Sequence, residues 1–122
     1  MTWSARPKFN MRPDDATRIH HMIEAAEAAE RFIAGRQRAD LDTDQMLLFA
    51  LVRAIEIIGE AASKVSSETR TITPSVPWPA IISMRNRLIH AYFDIDRDIV
   101  WKTVTEEISP LRSSLSQIVS KD

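Results

Sequence analysis

The sequence lacks cysteine altogether and contains only two glycines among its 122 residues. Without cysteine the chain has no disulfide bond, no thiolate nucleophile and no cysteine-ligated zinc site. No apolar run approaches the roughly 20 residues that a membrane-spanning helix needs, and residues 1–8 lack the apolar segment of an export signal. We therefore expect a cytoplasmic protein that makes no contact with membranes.

The chain also lacks an excess of positive charge. Its 16 Lys and Arg residues face 17 Asp and Glu residues, which leaves a net charge of -1. Because sequence-independent binding to nucleic acid depends on neutralising phosphates with many cations, any such contact must be local. The high content of Ala, Leu, Ile, Glu and Arg favours helices, and a chain of this length suits a single domain.

The order of polar and apolar residues predicts an N-terminal arm over residues 1–12 and one helical domain over residues 13–122. Pro13 suits the first turn of a helix, and Asp14 and Asp15 place negative charge at its positive end. Gly35 is the expected stop. The pattern as a whole predicts an all-α fold, an antiparallel bundle of four to five helices.

The second predicted helix carries two apolar stripes. Asp42 followed by Gln45 resembles a capping box and predicts a helix from about Thr43 to Val65. One stripe can pack on helix 1, whereas the other exceeds what a small monomer needs and predicts a homodimer. The first stripe is Leu47, Leu51, Ala54, Ile58, Ala61 and Val65, and the second is Leu48, Ile55 and Ala62.

The second half of the chain is divided by prolines. Residues 66–79 contain three of them and predict an ordered connector without regular structure. In this connector Trp78 is expected to be a core anchor rather than a platform for stacking bases. Pro79 opens a third helix that runs to about His90. Asp96 can cap a last helix, in which Pro110 predicts a kink or a restart after Ser109.

Two other groups of polar residues have a chemical and a structural interpretation. His20 and Glu24 have the i, i+4 spacing of metal ligands, but no third ligand accompanies them, so solvated surface side chains are favoured. Arg53, Glu56 and Glu60 form a polar line on helix 2 together with Lys64. Each carboxylate lies between opposite charges, which favours an ion-pair ladder over acid-base catalysis. We expect no metal and no cofactor.

The segment Arg85–Tyr92 concentrates groups that suit phosphate chemistry. Arg85 offers a planar, permanently charged fork for a phosphate, and His90 titrates near neutral pH, as a proton-transfer group must. On a helix Asn86 and His90 would face the same way. A single His supplies half of an acid-base pair, and a two-fold dimer would supply both halves. Structural roles, with His90 and Tyr92 packed at a helix end, explain these residues equally well.

The segment also resembles the R-x4-H-x-Y motif of the HEPN superfamily, specifically of the HepT-like (DUF86) toxins. Three other segments support the resemblance, which covers roughly residues 14–118. Residues 53–61 are similar to the helix 2 signature of the family, Val76-Pro77-Trp78 precedes the motif as in the family, and residues 92–96 follow it.

The resemblance implies a homodimeric, metal-independent endoribonuclease toxin of a two-gene toxin-antitoxin module. Arg85 and His90 would be its catalytic pair, with Asn86 assisting, and its substrate would be an RNA such as tRNA or mRNA. Its partner would be a minimal nucleotidyltransferase antitoxin of the MntA type, which transfers AMP to Tyr92. The alternatives are a non-catalytic helical module that binds a nucleotide or the nucleotidyltransferase, and a dimerisation subunit without a ligand.

Overall fold

The computed structural model describes residues 11–91 and 94–121, with the backbone alone at His90, Ala91 and Lys121. The helices before the motif are α1 (Pro13–Ile33), α2 (Asp40–Thr43), α3 (Gln45–Ser63), α4 (Ser67–Thr71) and α5 (Trp78–Ile82). The motif region comprises α6 (Met84–Leu88) and the strands β1 (Ile89–Ala91) and β2 (Asp94–Ile95). The chain continues with α7 (Arg97–Lys102), a π-helical turn (Thr103–Glu107) and α8 (Ile108–Lys121). Among the described residues, no helix has the length and apolar character to cross a membrane.

The core lies between three long helices, because α1 packs against both α3 and α8. Every residue of the two apolar stripes of α3 is buried inside the single chain. The inference that the second stripe is left over for another copy is therefore wrong, since α5 and α6 also pack on α3. The largest fully buried side chains include Ile19, Met22, Leu48, Leu51, Ile55, Ile58, Ile108 and Leu115.

The close approach of α5 to α3 takes place at Gly59. A Cβ atom at this position would lie 3.4 Å from the carbonyl oxygen of Ile81 and 3.7 Å from that of Ile82. A single methyl group would just fit, and any larger side chain would push α5 away from α3. The glycine thus allows the segment that leads into α6 to lie directly on the central helix.

The ends of α1 agree with the prediction, whereas the predicted start of α3 is wrong. Helix α1 begins at Pro13 and ends before Gly35, which has a φ of 74°. The N-cap of α3 is Asp44, whose carboxylate accepts a hydrogen bond of 3.0 Å from the backbone N–H of Leu47. Asp42 cannot cap α3, because it lies inside α2 and forms an ion pair with Arg38.

The connector contains more regular structure than predicted, since α4 forms one helical turn within it. The turn begins at Ser66, whose hydroxyl accepts from the N–H of Thr69 and supplies a cap that the prolines farther along do not disturb. The prediction for Trp78 is confirmed. Its indole is only 3% exposed, and its Nε1–H donates to the hydroxyl of Thr73 at 3.0 Å.

The predicted third helix differs most from the structure. It is divided at Ser83 into α5 and α6, and it ends at Leu88 rather than at His90. Residues 89–91 form a strand that pairs with β2, with Ile89 opposite Ile95. The two paired residues Ile89 and Ile95 are β-branched, and such residues favour extended backbone over helix. The all-α prediction therefore holds except for this two-stranded hairpin.

The last helix begins as predicted, with the carboxylate of Asp96 accepting from the N–H of Ile99. Its irregularity lies before Ser109 rather than after it. The π-helical turn over residues 103–107 widens the helix just ahead of Pro110 and so accommodates a residue that has no N–H to donate. Helix α8 is tied to α1 by Glu30, which accepts from Arg112 at 2.6 Å and from Ser109.

Asp15 is a buried carboxylate that joins the first turn of α1 to the start of α4. The residue is only 3% exposed, and its Oδ2 accepts hydrogen bonds of 2.6 Å from the hydroxyls of Ser66 and Thr69. Oδ1 accepts from the N–H of Ser66 at 2.9 Å. Burial raises the pKa of Asp15, but these hydrogen bonds and the charge of Arg12 outweigh it and hold the pKa below its usual value. Asp15 therefore stabilises the fold in two ways: it joins α1 to α4, and its negative charge interacts favourably with the positive end of the α1 dipole.

Substituting Asp15→Asn is expected to lower the free energy of unfolding by about 1–3 kcal/mol at pH 7, because buried donors lose a charged acceptor. Since the pKa of Asp15 is lower in the folded chain, its stabilisation is complete at neutral pH and is lost as the pH falls below about 4. Urea unfolding of both proteins between pH 7 and pH 3 should therefore show the variant losing less stability. Asp14→Asn, an exposed neighbour, is the control, and an equal loss in all three proteins contradicts the assignment.

Candidate functional site

Three polar side chains of the motif project from α6 into solvent. Arg85, Asn86 and Arg87 are exposed, whereas Met84 and Leu88 are 2% and 0% exposed. The two buried residues are four positions apart and lie on the same side of the helical turn. They anchor α6 in the core, so the residues between them must point outward.

Arg85 forms an ion pair with Glu56 of α3. The distance from its Nε to Oε2 of Glu56 is 2.8 Å, and the side chain of Glu56 is 23% exposed. The carboxylate contacts Nε, and the two terminal nitrogens of Arg85 have no hydrogen-bond partner among the described residues. Glu56 thus fixes the direction of the guanidinium while its forked end remains open to an anion such as a phosphate.

The ion-pair ladder predicted on α3 exists in part. Nη1 of Arg53 lies 3.3 Å from Oε1 of Glu60 and 3.6 Å from Oε1 of Glu56. The sequence pattern does not predict the additional contact of Glu56 with Arg85, which lies on another helix. The two residues are 29 positions apart. Helical periodicity relates residues within one helix, and it gives no information about contacts between α3 and α6, which are separated by the connector. Only the packing of α6 on α3 brings them together.

The predicted alignment of Asn86 with His90 is wrong. Because α6 ends at Leu88, His90 lies in strand β1, and the two residues do not share a helix face. The backbone of His90 lies between Ile89 and Ala91, which pair with Ile95 and Asp94 of β2. The structure therefore brings Arg85 and Glu56 together, leaves Asn86 exposed on the same helical turn, and places the backbone of His90 two residues beyond α6. Tyr92 lies outside the described residues.

The second arginine of the motif, Arg87, points to the other side of α6. Its Nη2 lies 3.4 Å from Oε1 of Glu107 in the π-helical turn. The two arginines are two positions apart on a helical turn, which separates them by about 200°. The motif therefore has one arginine facing α3 and one facing the start of α8.

Within the described part of the chain, no three His, Asp or Glu side chains are grouped so that they could hold a metal ion. His20 and His21 are both exposed on α1. Among the described residues, Arg85, Asn86 and Arg87 of α6 bring cationic and amide groups within five positions of the backbone of His90.

Comparison with known proteins shows to which family the chain belongs. A family model described as "Ribonuclease HepT-like" matches residues 22–118. The chain belongs to the HepT-like ribonuclease family. The matched residues run from α1 into α8 and include Glu56, Arg85, Asn86 and His90.

Individual relatives within the HepT-like family cover most of the chain. A protein of Thermococcus cleftensis named "Probable ribonuclease HepT" is 36% identical over 100 residues, which are 82% of this chain and 91% of that protein. A protein of Caldanaerobacter subterraneus named "Putative RNase TTE0752" is 35% identical over 104 residues, or 85% and 93% of the two chains. No solved structure matches the chain significantly.

The contact between Arg85 and Glu56 is testable without an activity assay. In Glu56→Gln, we expect the Nε–H of Arg85 to shift in the NMR spectrum and to exchange faster with water, because its charged acceptor is lost. The free energy of unfolding should change by less than about 1 kcal/mol, since exposed ion pairs contribute little. Glu60→Gln is the matched control, because Glu60 pairs with Arg53 and not with Arg85. An unchanged Arg85 signal in Glu56→Gln contradicts the contact.

Proposed function

We propose that this HepT-like protein is a metal-independent endoribonuclease, the toxin of a toxin-antitoxin module, with its active site completed by a second copy of the chain. The observation that carries the proposal is the geometry of Arg85. A guanidinium held from one side by Glu56 and open at its forked end is preorganised for a phosphate, so little reorganisation is needed when charge develops there. The relatives named as ribonucleases support RNA as the source of that phosphate.

The proposed reaction uses the 2′-hydroxyl of the substrate as the nucleophile. A base removes the proton from the 2′-oxygen, which bonds to the adjacent phosphorus while the bond from phosphorus to the 5′-oxygen breaks. An acid then protonates the 5′-oxygen, and the products are a 2′,3′-cyclic phosphate and a 5′-hydroxyl. Arg85 neutralises the charge that grows on the phosphate oxygens, and Asn86 donates a hydrogen bond that orients them.

His90 is the proposed proton-transfer group of each copy. One imidazole cannot be both protonated and neutral at once, whereas the reaction needs a base and an acid in the same step. A two-fold axis that passes between two His90 residues provides one in each state. This requirement, rather than the buried second stripe of α3, is the chemical argument for a dimer.

An exposed apolar patch gives the dimer a surface. Phe32, Met46 and Phe49 are 40%, 84% and 53% exposed, and Phe32 and Met46 line one shallow depression where the end of α1 meets the start of α3. Met46 and Phe49 share one face of α3 with Arg53 and Glu56, since their spacing of 3, 4 and 3 residues follows the helical repeat. A second copy seated on this face would approach the Arg85 site, because Glu56 lies about two to three helical turns beyond Met46 and Phe49. We propose that this face is the dimer interface.

Tyr92 is the proposed regulatory residue. A phenol normally titrates near pH 10, so an unmodified tyrosine two positions after His90 in the sequence would carry no charge. Transfer of AMP from a minimal nucleotidyltransferase antitoxin would add a charged phosphodiester and a nucleoside two residues from His90. Both repulsion and volume would then oppose binding of the RNA phosphate.

Substituting His90→Ala is expected to reduce cleavage of purified tRNA or total RNA by about a hundredfold or more, because proton transfer by a positioned side chain contributes that much. His20→Ala is the matched control, since His20 is exposed on α1. Chelation of metals should leave the rate of the unaltered protein unchanged. Full activity in His90→Ala contradicts the mechanism, and tight RNA or nucleotide binding without any turnover would support the non-catalytic module instead.

The dimer can be tested by replacing apolar side chains of its proposed interface with negatively charged ones. Phe49→Glu combined with Met46→Glu should convert the protein from dimer to monomer in light scattering, because burying two carboxylates in an apolar interface is costly. RNA cleavage should fall in parallel. The control is Ile72→Glu, which alters another exposed apolar residue, 54% exposed and outside the patch. A dimer that persists in the double variant places the interface elsewhere.

Regulation is measured by intact mass. Co-expression with the neighbouring nucleotidyltransferase gene is expected to raise the mass by whole AMP units confined to a peptide that contains Tyr92, and to suppress RNA cleavage. Tyr92→Phe should show neither change, because the acceptor hydroxyl is missing. Unmodified protein after co-expression, with the nucleotidyltransferase present and active on ATP, argues against this mode of regulation.

A further inference from the structure

A cleft on the other side of α6 from Arg85 has the character of a ligand pocket. It has a volume of about 340 Å³ and lies between the α5–α6 segment and the π-helical turn with the start of α8. Its floor is apolar, formed mainly by Ile81, Met84 and Leu111, which are all buried. Ligand pockets in proteins combine such a floor with a few polar groups, and this volume is near the lower end of their range, about 300–1,000 Å³. It suits a single ring system.

The charged groups of the cleft are two neighbouring glutamates and one arginine, and Ser75 and Ser114 add hydroxyl groups to its lining. Glu107 is already engaged by Arg87, at 3.4 Å. Glu106 also lines the cleft, is exposed, and has no ion-pair partner among the described residues. A free carboxylate above an apolar floor can only accept hydrogen bonds at neutral pH, so it favours a flat apolar ligand that carries N–H donors on its edge.

We propose that this cleft is a nucleobase pocket for single-stranded RNA, in which Glu106 accepts a hydrogen bond from an exocyclic amino group. The inference rests on the proposed ribonuclease function, because it takes RNA as the ligand. Unstacked bases of single-stranded RNA are recognised through their edges in apolar pockets, and glutamate accepts from the N4 amine of cytosine. Uracil presents a carbonyl oxygen at that position, which a carboxylate repels.

The position of the cleft agrees with this role. Met84 and Arg87 line it, whereas Arg85 leaves the same helical turn on the side of α3. One strand of RNA crossing α6 would thus place a phosphate at Arg85 and a neighbouring base in the cleft, across a helix about 10 Å wide. Arg87, held by Glu107 at the rim, would contribute positive charge near the backbone of that nucleotide.

The test measures binding with probes that cannot be cleaved by the proposed route. Fluorescent 2′-O-methyl tetranucleotides of cytidine, adenosine or uridine lack the nucleophilic 2′-hydroxyl, so affinity is measured whether or not the protein cuts RNA. We expect the cytidine or the adenosine probe to bind about tenfold more tightly than the uridine probe, the discrimination expected of a specific contact to a base edge.

Two variants separate the contributions of charge and space. Glu106→Gln should bring the affinities to within about twofold of one another, because an amide both donates and accepts hydrogen bonds. Ser114→Trp, at the rim of the cleft, should weaken all three probes by filling the pocket. Glu27→Gln, an exposed glutamate of α1, is the matched control and should retain the preference of the unaltered protein. Thermal unfolding of each variant checks that the fold is intact.

Equal binding of all probes, no binding of any probe, or an unchanged preference in Glu106→Gln overturns the proposal. A change of oligomeric mass in Ser114→Trp with the base preference intact also overturns it and assigns the cleft to a protein interface. Cleavage of unmodified RNA is measured in parallel. Cleavage without base preference supports the ribonuclease function and contradicts the nucleobase pocket. Base preference without cleavage supports the pocket and contradicts the ribonuclease function.

Discussion

The contact of Arg85 with Glu56 joins the motif helix to the central helix of the bundle, and the surface around it depends on this junction. The contact exists because α5 lies close enough to α3 for its carbonyl oxygens to face Gly59. A larger residue at position 59 would move α5, and with it α6, away from Glu56. Gly59 and Glu56, both on α3, therefore determine together where α6 lies relative to the central helix.

The one-turn length of α6 determines what its polar residues can do. Burial of Met84 and Leu88 fixes the rotation of the turn, so Arg85 faces α3 and Arg87 faces the π-helical turn. Each arginine has one glutamate, but the surroundings differ. Arg85 is exposed and contacts Glu56 through Nε, which suits a phosphate at its forked end, whereas Arg87 lines an apolar cleft, which suits a base. The two subsites that we propose thus differ in chemistry although their arginines are two positions apart.

Two carboxylates of α1 hold parts of the scaffold together. Asp15 and Glu30 are held in their charged forms by hydrogen bonds that tie α1 to α4 and to α8, and both have a pKa below the usual value despite the opposing effect of burial. These carboxylates stabilise the scaffold. The net charge of the chain is close to zero, so the contact with RNA that we propose would be local and would involve the exposed residues of α6.

The sequence alone determined the helical scaffold and the family. Residues at helical spacing predicted α1 and α3, Trp78 was identified as a core anchor, and Asp96 was identified as a cap, because these features depend on periodicity and on neighbours within a few positions. The tertiary structure decided the rest. It replaced Asp42 by Asp44 as the cap of α3, buried Leu48 and Ile55 within one chain, and moved His90 from a helix to a strand. It also paired Arg85 with Glu56 across 29 positions. Such features arise when distant segments compete for the same space, and no local pattern records the outcome of that competition.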